Sequence, residues 1–135
     1  GILRPRERAG DWWQLHDVVE PDVEQLEAAV ALGAPVIELH TGAYCDTTGP
    51  EQDRQFKRLA DAAQAAQDLG LECHAGHGLT FDTVGPVAAI NFIQELNIGH
   101  FLIGEAIFGG LESSIKRMRA LVDKARADAN GERSA

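Results

Sequence analysis

The chain has 135 residues, of which 44% are hydrophobic and 24% charged, an ordinary composition for one domain. Its net charge of −9 disfavours nonspecific binding to nucleic acid or to anionic membranes. No apolar run approaches the roughly 18 residues of a membrane span, and the amino terminus lacks the apolar core of a secretory signal. The cysteines Cys45 and Cys73 follow no zinc-binding spacing, so we expect free thiols in a reducing cytoplasm. The first residue is Gly1, which leaves open that the chain is a piece of a longer protein.

Apolar periodicity divides the chain into alternating strands and helices. We expect a mobile lead-in at 1–11, one domain at 12–129 and a polar tail at 130–135. The predicted elements are a strand at 14–19, a helix from Pro21 to Gly33, a strand at 34–41, a loop at 41–49, a helix from Pro50 to Leu69, a strand at 71–75, a helix at 83–90, a strand at 95–99 and a helix at 111–129. The apolar face of the first helix contains Val23, Leu26, Ala29 and Val30. The apolar segment 100–108 is interpreted as a short extra helix, with a strand as the alternative.

Strands and helices that alternate in this way predict a parallel α/β architecture. The spacing fits a doubly wound sheet or a (β/α)8 barrel, although the strands are too few for a closed barrel of typically about 250 residues. On the second strand, Ile37 and Leu39 face one side, whereas Val36, Glu38 and His40 face the other. In a barrel of parallel strands, this second set lines the interior near the catalytic edge.

The segment Leu71–Leu79 (LECHAGHGL) gives the strongest chemical signal, because a short apolar strand runs directly into Gly76-His77-Gly78. Ligands of α/β proteins bind at the carboxyl edge of the sheet. Glycine on both sides of His77 opens the backbone to a substrate. We predict that His77 transfers a proton near neutral pH, and the alternative is a histidine that only caps the turn.

Glu38 is the second catalytic candidate, since a carboxylate on the inner face of a buried strand is costly unless it is hydrogen-bonded or used in chemistry. The alternative is a structural glutamate paired with a local donor. His40 and His74 are interpreted as barrel-lining side chains. A metal site formed by His74, His77 and Glu38 is conceivable, but no further ligand pattern supports it, so we expect no metal.

A phosphate-binding edge is predicted where Gly99 and His100 open the short helix at 100–108 and Gly78 follows the central turn. Backbone amides at a helix amino terminus bind anions without a lysine. In barrels, the loops after strands seven and eight recurrently hold phosphate together with a short extra helix. The chain contains no Walker A loop, dinucleotide-binding glycine motif or GxSxG elbow, which argues against nucleotide binding and serine hydrolysis.

Three stretches in a fixed order, GAPVIELHTGAY (33–44), AGHGLTF (75–81) and ELNIGHFLIGEAIF (95–108), resemble the pyridoxine 5′-phosphate synthase family of vitamin B6 biosynthesis. The resemblance runs from about Val18 to the end of the last helix and implies the carboxyl-terminal half of a TIM (β/α)8 barrel. Members of this family assemble into octamers. They condense 3-amino-2-oxopropyl phosphate with 1-deoxy-D-xylulose 5-phosphate and release phosphate and water, with no metal or organic cofactor.

By this resemblance, His77 is the proton donor, Glu38 assists catalysis, and Gly78, Gly99 and His100 hold the phosphate of the aminoketone. The implied reaction proceeds through a Schiff base, acid–base steps that expel phosphate and water, and an aldol-type ring closure. The family's first half, with its own general bases and arginines, has no counterpart here, so we expect the chain alone to be inactive. Two alternatives remain: a noncatalytic, self-associating half-barrel that binds a small phosphorylated ligand, and a phosphate-binding barrel fragment with other chemistry, such as an isomerase.

Overall fold

A computed structural model of the chain describes residues 16–134, with side chains at 18–131. The elements, in chain order, are β1 (His16–Val19), α1 (Val23–Ala31), β2 (Val36–His40), α2 (Gly42–Cys45), α3 (Gly49–Asp68), β3 (Glu72–Gly76), α4 (Val84–Ala88), β4 (Ile93–Asn97), α5 (His100–Gly109) and α6 (Leu111–Ser134). The four strands form one parallel sheet in the order β1-β2-β3-β4, which confirms the predicted parallel α/β class. The predicted lead-in at 1–11 lies outside the described residues.

The helix ends follow local signals in the sequence. Asp22 caps α1, because its carboxylate accepts a hydrogen bond of 2.9 Å from the backbone amide of Gln25. Gly33 and Gly70 follow the last turns of α1 and α3 with φ angles of +76° and +75°. Glycine adopts this left-handed conformation without a steric penalty, so the chain can leave each helix and enter the next strand directly.

The two faces of the sheet differ in burial, as predicted for β2. Ile37 and Leu39 are fully buried, whereas Val36, Glu38 and His40 are half-buried on the opposite face. The buried face packs against helices α1 and α3, which contribute Leu26, Ala29, Leu59, Ala62, Ala63 and Ala66 to the core. The main hydrophobic core therefore lies on one side of the sheet.

Several elements differ from the prediction. The loop expected at 41–49 contains the short helix α2, which begins where the amide of Cys45 donates to the carbonyl oxygen of Thr41 at 3.0 Å. On α1, only Leu26 and Ala29 are buried, so the side of the helix that packs on the core is narrower than the predicted apolar face. Val23 and Val30 remain exposed.

The boundaries near the end of the chain also shift. β4 occupies Ile93–Asn97 rather than 95–99, since Ile93 is fully buried and belongs to the sheet. α6 continues to Ser134, beyond the end predicted at residue 129, so most of the segment expected as a polar tail is helical. Polar residues do not stop a helix when they lie on a solvent-exposed face.

The apolar segment after β4 forms α5, which confirms the interpretation as an extra helix and rules out a strand there. α5 packs against α6, yet none of its residues is buried. Ile103, Ile107 and Phe108 are exposed to 67%, 81% and 88%. No helix within residues 16–134 combines the length and apolar character needed to cross a membrane.

Candidate functional site

The carboxyl ends of β3 and β4 enclose a cavity of about 720 Å³. All five residues predicted from the sequence line it: Glu38, His77, Gly78, Gly99 and His100. Glu38 lies on β2, whereas the other four lie in the segments that follow β3 and β4. These segments are distant in sequence but meet at one edge of the sheet, because the strands are parallel. The structure thus brings the predicted residues together, while their roles remain predictions.

His77 occupies a strained turn. Its φ angle is +86°, and that of Gly78 is +82°. The side chain of Thr41, which is fully buried, lies within hydrogen-bonding distance of two carbonyl oxygens of this turn, that of His77 at 2.6 Å and that of Gly76 at 2.8 Å. His77 is exposed and lines the cavity, so its imidazole is accessible to a ligand.

The His77 ring also stacks on a second imidazole. The ring centroids of His40 and His77 lie 4.2 Å apart, with an interplanar angle of 30°. The backbone amide of Gly42 donates to Nδ1 of His40 at 3.2 Å. His40, interpreted from the sequence as a barrel-lining residue, is therefore in direct contact with the predicted proton donor.

Glu38 lies on the same face of the sheet as Asn97, the last residue of β4. The side-chain amide of Asn97 donates to Oε2 of Glu38 at 2.7 Å. Gly76 lies between them, and a Cβ atom added there would stand 2.6 Å from Oε1 of Glu38 and 2.8 Å from the carbonyl oxygen of Asn97. The hydrogen bond to Asn97 is the contact expected of a structural glutamate, and the position at the cavity is the one expected of a catalytic glutamate. Both interpretations of Glu38 therefore stand.

The predicted phosphate-binding edge is the amino terminus of α5. Gly99 is the N-cap, with no side-chain hydrogen bond to the first amides of the helix. These amides have no partner inside the helix, and the helix dipole favours an anion there. A Cβ atom at Gly99 would meet nothing within 4 Å, whereas one at Gly78 would lie 3.2 Å from Cβ of Cys45. Of these two glycines, Gly78 is therefore the one whose position restricts a side chain.

His74 does not converge with His77. Its Nε2 lies 2.9 Å from Oε1 of Glu72, and its Nδ1 lies 3.9 Å from Oε1 of Glu95. Within the described part of the chain, no group of three or more histidine, cysteine, aspartate or glutamate residues is arranged to hold a metal ion. The two histidines of the HxxH pattern therefore contact different residues: His74 lies beside Glu72 and Glu95, and His77 lies beside His40.

Both cysteines are free thiols. Burial raises the pKa of Cys73 to about 12. Burial also raises the pKa of the Cys45 thiol, although a hydrogen bond with Thr83 acts in the opposite direction. A thiol with a raised pKa is a poor nucleophile at neutral pH, so neither residue suits covalent catalysis.

Two residues of the site were missed by the sequence analysis: Thr41 and Asn97. Asn97 carried a usable signal, because a polar side chain at the end of an apolar strand marks the carboxyl edge as clearly as Glu38 does. Thr41 carried no such signal, since its importance depends on contacts between different strands. Gly76 was predicted to open the backbone to a substrate, and the structure places Glu38 and the backbone of Asn97 against it.

Residues 14–124 match the family model described as "Pyridoxal phosphate biosynthesis protein PdxJ". The chain belongs to this family. PdxJ proteins are TIM barrels, and the four parallel strands within residues 16–134 represent half of that architecture. The resemblance identified from the three sequence stretches is thereby confirmed.

Relatives of this PdxJ chain carry the name pyridoxine 5′-phosphate synthase. The protein from Rhodospirillum rubrum is 68% identical over 108 residues, which cover 79% of this chain and 43% of the relative. The protein from Zymomonas mobilis is 59% identical over 110 residues, covering 82% and 43%. That from Cereibacter sphaeroides is 48% identical over 136 residues, covering 87% and 54%. The chain thus spans about half the length of the curated relatives it matches.

Proposed function

We propose that this chain supplies the carboxyl-terminal half of an active site that makes pyridoxine 5′-phosphate. The substrates would be 3-amino-2-oxopropyl phosphate and 1-deoxy-D-xylulose 5-phosphate, with release of phosphate and water. One observation carries the proposal: His77, Glu38 and the amino terminus of α5 line a single cavity. The names of the relatives support the same reaction.

The binding role falls to the backbone. The amides of Gly78 and of the first turn of α5, which begins at His100, would hold the phosphate of the aminoketone. This arrangement lets a protein with a net charge of −9 bind an anion, because helix amides and their dipole supply the local positive potential.

The proton-transfer role falls to His77. The reaction must deliver protons to the oxygen atoms that leave as water and phosphate, and an imidazole can donate and recover a proton near neutral pH. The exposure of His77 gives solvent access for reprotonation. The carboxylate of Glu38, held by Asn97, would stabilise the positive charge that develops on the Schiff-base nitrogen.

Product formation tests this proposal directly. Both substrates are incubated with the purified chain alone, and with the chain plus the amino-terminal half of a PdxJ relative. We expect no turnover from the chain alone and pyridoxine 5′-phosphate from the mixture. Turnover by the chain alone at the rate of an intact relative would contradict the predicted dependence on the missing half, and no product from a mixture that forms a complex would contradict the reaction.

Calorimetric titration separates the two roles. His77→Ala should abolish turnover in the mixture while leaving the affinity for 3-amino-2-oxopropyl phosphate within about threefold, because the phosphate contacts remain. His100→Ala is the matched histidine control: it removes another imidazole that lines the cavity but keeps the backbone amide, so turnover should persist. Equal loss of binding and turnover in His77→Ala would instead assign His77 to positioning. Inorganic phosphate serves as the reference ligand for the anion site alone.

We also infer the finer properties that the resemblance implies. The chain would act within a transferase that assembles into a homo-oligomer. The two free thiols are consistent with the reducing cytoplasm expected from the sequence.

A second candidate function is a noncatalytic half-barrel that self-associates. It is favoured by a groove of about 680 Å³ beside the outer edge of β4, which α6 closes with Ile115, Arg119 and Val122. At the opposite edge of the sheet, α1 exposes the apolar side chain of Val30 and the carboxylate of Glu27. Apolar surface and opposite charges would meet if the β4 edge of one copy paired with the β1 edge of another.

Sedimentation over a range of concentrations tests this candidate. We expect a dimer for the chain, a monomer for Val122→Asp in the groove, and a dimer for Ile107→Ser, which lies outside the groove on α5. A chain that stays monomeric at all concentrations, and pairs only with an amino-terminal half, would exclude self-association.

A further inference from the structure

We propose that His40 and Thr41, adjacent residues at the end of β2, are positioning residues that hold His77 in the geometry for proton transfer. We name this pair the β2 clamp. Its role in proton transfer rests on the proposed function. The contacts that define the clamp are independent of it, since each can be measured without substrate.

The backbone of His77 needs external support. Among the described residues it is the only residue other than glycine with a positive φ angle. A side chain in this region is strained, and the conformation persists only where the surroundings hold it. His77 is exposed, so packing of its own side chain in a core does not supply that support.

The hydroxyl of Thr41 lies closer to the carbonyl oxygen of His77, at 2.6 Å, than the thiol of Cys45, at 3.8 Å, and is placed to supply that support. The carbonyl oxygen of Gly76 already accepts from the backbone amide of Thr41 at 2.8 Å. The single hydroxyl proton is therefore best used by the carbonyl oxygen of His77, which is also the nearer of the two at 2.6 Å. Thr41 is fully buried, so its hydroxyl has no competing contact with solvent.

The ring of His40 restrains the imidazole itself. A backbone amide can only donate, so the hydrogen bond from Gly42 requires Nδ1 of His40 to be unprotonated and places its proton on Nε2. The hydrogen bond from Gly42 thus fixes the orientation of the His40 ring, whose centroid lies 4.2 Å from that of the His77 ring.

Gly42 completes the arrangement by leaving space for both rings. A Cβ atom at this position would lie 2.6 Å from Cε1 of His40 and 3.3 Å from Cδ2 of His77. The absence of a side chain brings the Gly42 backbone against the edge of the His77 ring. That contact provides a reporter for the position of the ring.

Nuclear magnetic resonance of the full chain with labelled histidine tests the clamp. The readout is the nuclear Overhauser effect between the ring proton of His77 and the α-protons of Gly42. Thr41→Val has nearly the same shape but no hydroxyl, and we expect it to lose this signal. Thr41→Ser restores the hydroxyl and should retain it. Thr47→Val is the matched control, because Thr47 also donates to a carbonyl oxygen, that of Ala43 at 2.8 Å, but away from the turn.

A second variant keeps the test decisive if Thr41→Val does not fold. His40→Leu removes the stacked ring, and we expect the His77 resonance to lose its ring-current shift and the Overhauser effect to Gly42 to weaken. Retention of the parent signals in either variant would overturn the corresponding half of the clamp. Equal loss in Thr47→Val would reduce the effect to general destabilisation. These signals are measured without substrate, so they do not depend on whether the chain supports product formation. The clamp and the proposed function can therefore be refuted separately.

Discussion

Alternate side chains of β2 and β3 enter two different environments. On the helix-covered face, Ile37, Leu39 and Ala75 are completely buried in an apolar core. On the opposite face, Glu38 is hydrogen-bonded to Asn97 of β4, and His74 lies between Glu72 of its own strand and Glu95 of β4. The chain's own helices complete the first environment, whereas the second is open to the cavity at the carboxyl edge.

This difference separates stability from function within the same strands. Burial of apolar surface on the helix-covered face is the main source of folding free energy. The polar face contributes less to stability, because polar side chains must be hydrogen-bonded or ion-paired to be tolerated there. Paired substitutions on the two faces can measure the separation.

The largest effect is expected from Leu39→Ala on the helix-covered face. This substitution should lower the free energy of unfolding by about 2–5 kcal/mol, because it removes buried methyl groups and leaves a cavity. Val36→Ala, on the opposite face of the same strand, is the control and should cost about 1 kcal/mol, since Val36 is only half-buried. Denaturant unfolding measures both values, and similar losses would show that the two faces contribute equally.

A glycine pair tests the crowding at the polar face. Gly76→Ala should destabilise the chain by about 1–3 kcal/mol, because the added Cβ atom overlaps Glu38 and the backbone of Asn97. Gly104→Ala, in α5, should be neutral or stabilising by up to about 1 kcal/mol, since no atom beyond the adjacent residues and the helix's own backbone lies within 4 Å of the added Cβ atom and alanine favours a helix. Thermal or denaturant unfolding distinguishes them, and a neutral Gly76→Ala would contradict the close approach of β3 and β4.

The buried thiol of Cys73 makes stability depend on alkaline pH. Its pKa rises from the ordinary 9.0 to about 12 in the folded chain. The folded state therefore keeps a proton that the unfolded state releases above pH 9, so the stability contribution is complete below pH 9 and is lost as pH rises toward 12. The expected slope is about 1.4 kcal/mol per pH unit.

Comparison with Cys73→Val isolates this effect from other groups that titrate at alkaline pH. The difference in unfolding free energy between the chain and the variant should change between pH 9 and pH 10, and should be constant from pH 6 to pH 8. A difference that does not vary with pH would mean that the thiol is solvated in the folded state.

The smallest effect on stability is expected on the exposed side of α5. Ile107→Ser should alter the free energy of unfolding by no more than about 0.5 kcal/mol, because Ile107 is 81% exposed. Measurement at low protein concentration keeps association out of the comparison. A loss comparable to that of Leu39→Ala would place this side chain in an unrecognised core.

The meeting of the five predicted residues in one cavity was accessible from the sequence. Parallel strands must end at a common edge, so polar and glycine residues that follow each strand are neighbours even when their separation along the chain is large. The same argument made the position of His77 beside the amino terminus of α5 predictable, because both follow adjacent strands.

The remaining features depend on packing that no local pattern encodes. The hydrogen bond from Thr41 to the His77 carbonyl joins residues 36 positions apart, and the stacking of His40 on His77 depends on the register of β2 and β3. The exposure of Val23 on α1 has a similar origin, because packing against β1 and α3 decides which part of an apolar face is covered.

The absence of a side chain at Gly76 has a consequence for how this sequence can change over generations. One of the atoms that blocks a Cβ there belongs to the main chain of Asn97, and every amino acid has that atom. A companion replacement of Glu38 by a smaller residue would clear only part of the obstruction. Replacement of Gly76 by any other residue therefore requires β3 and β4 to move apart.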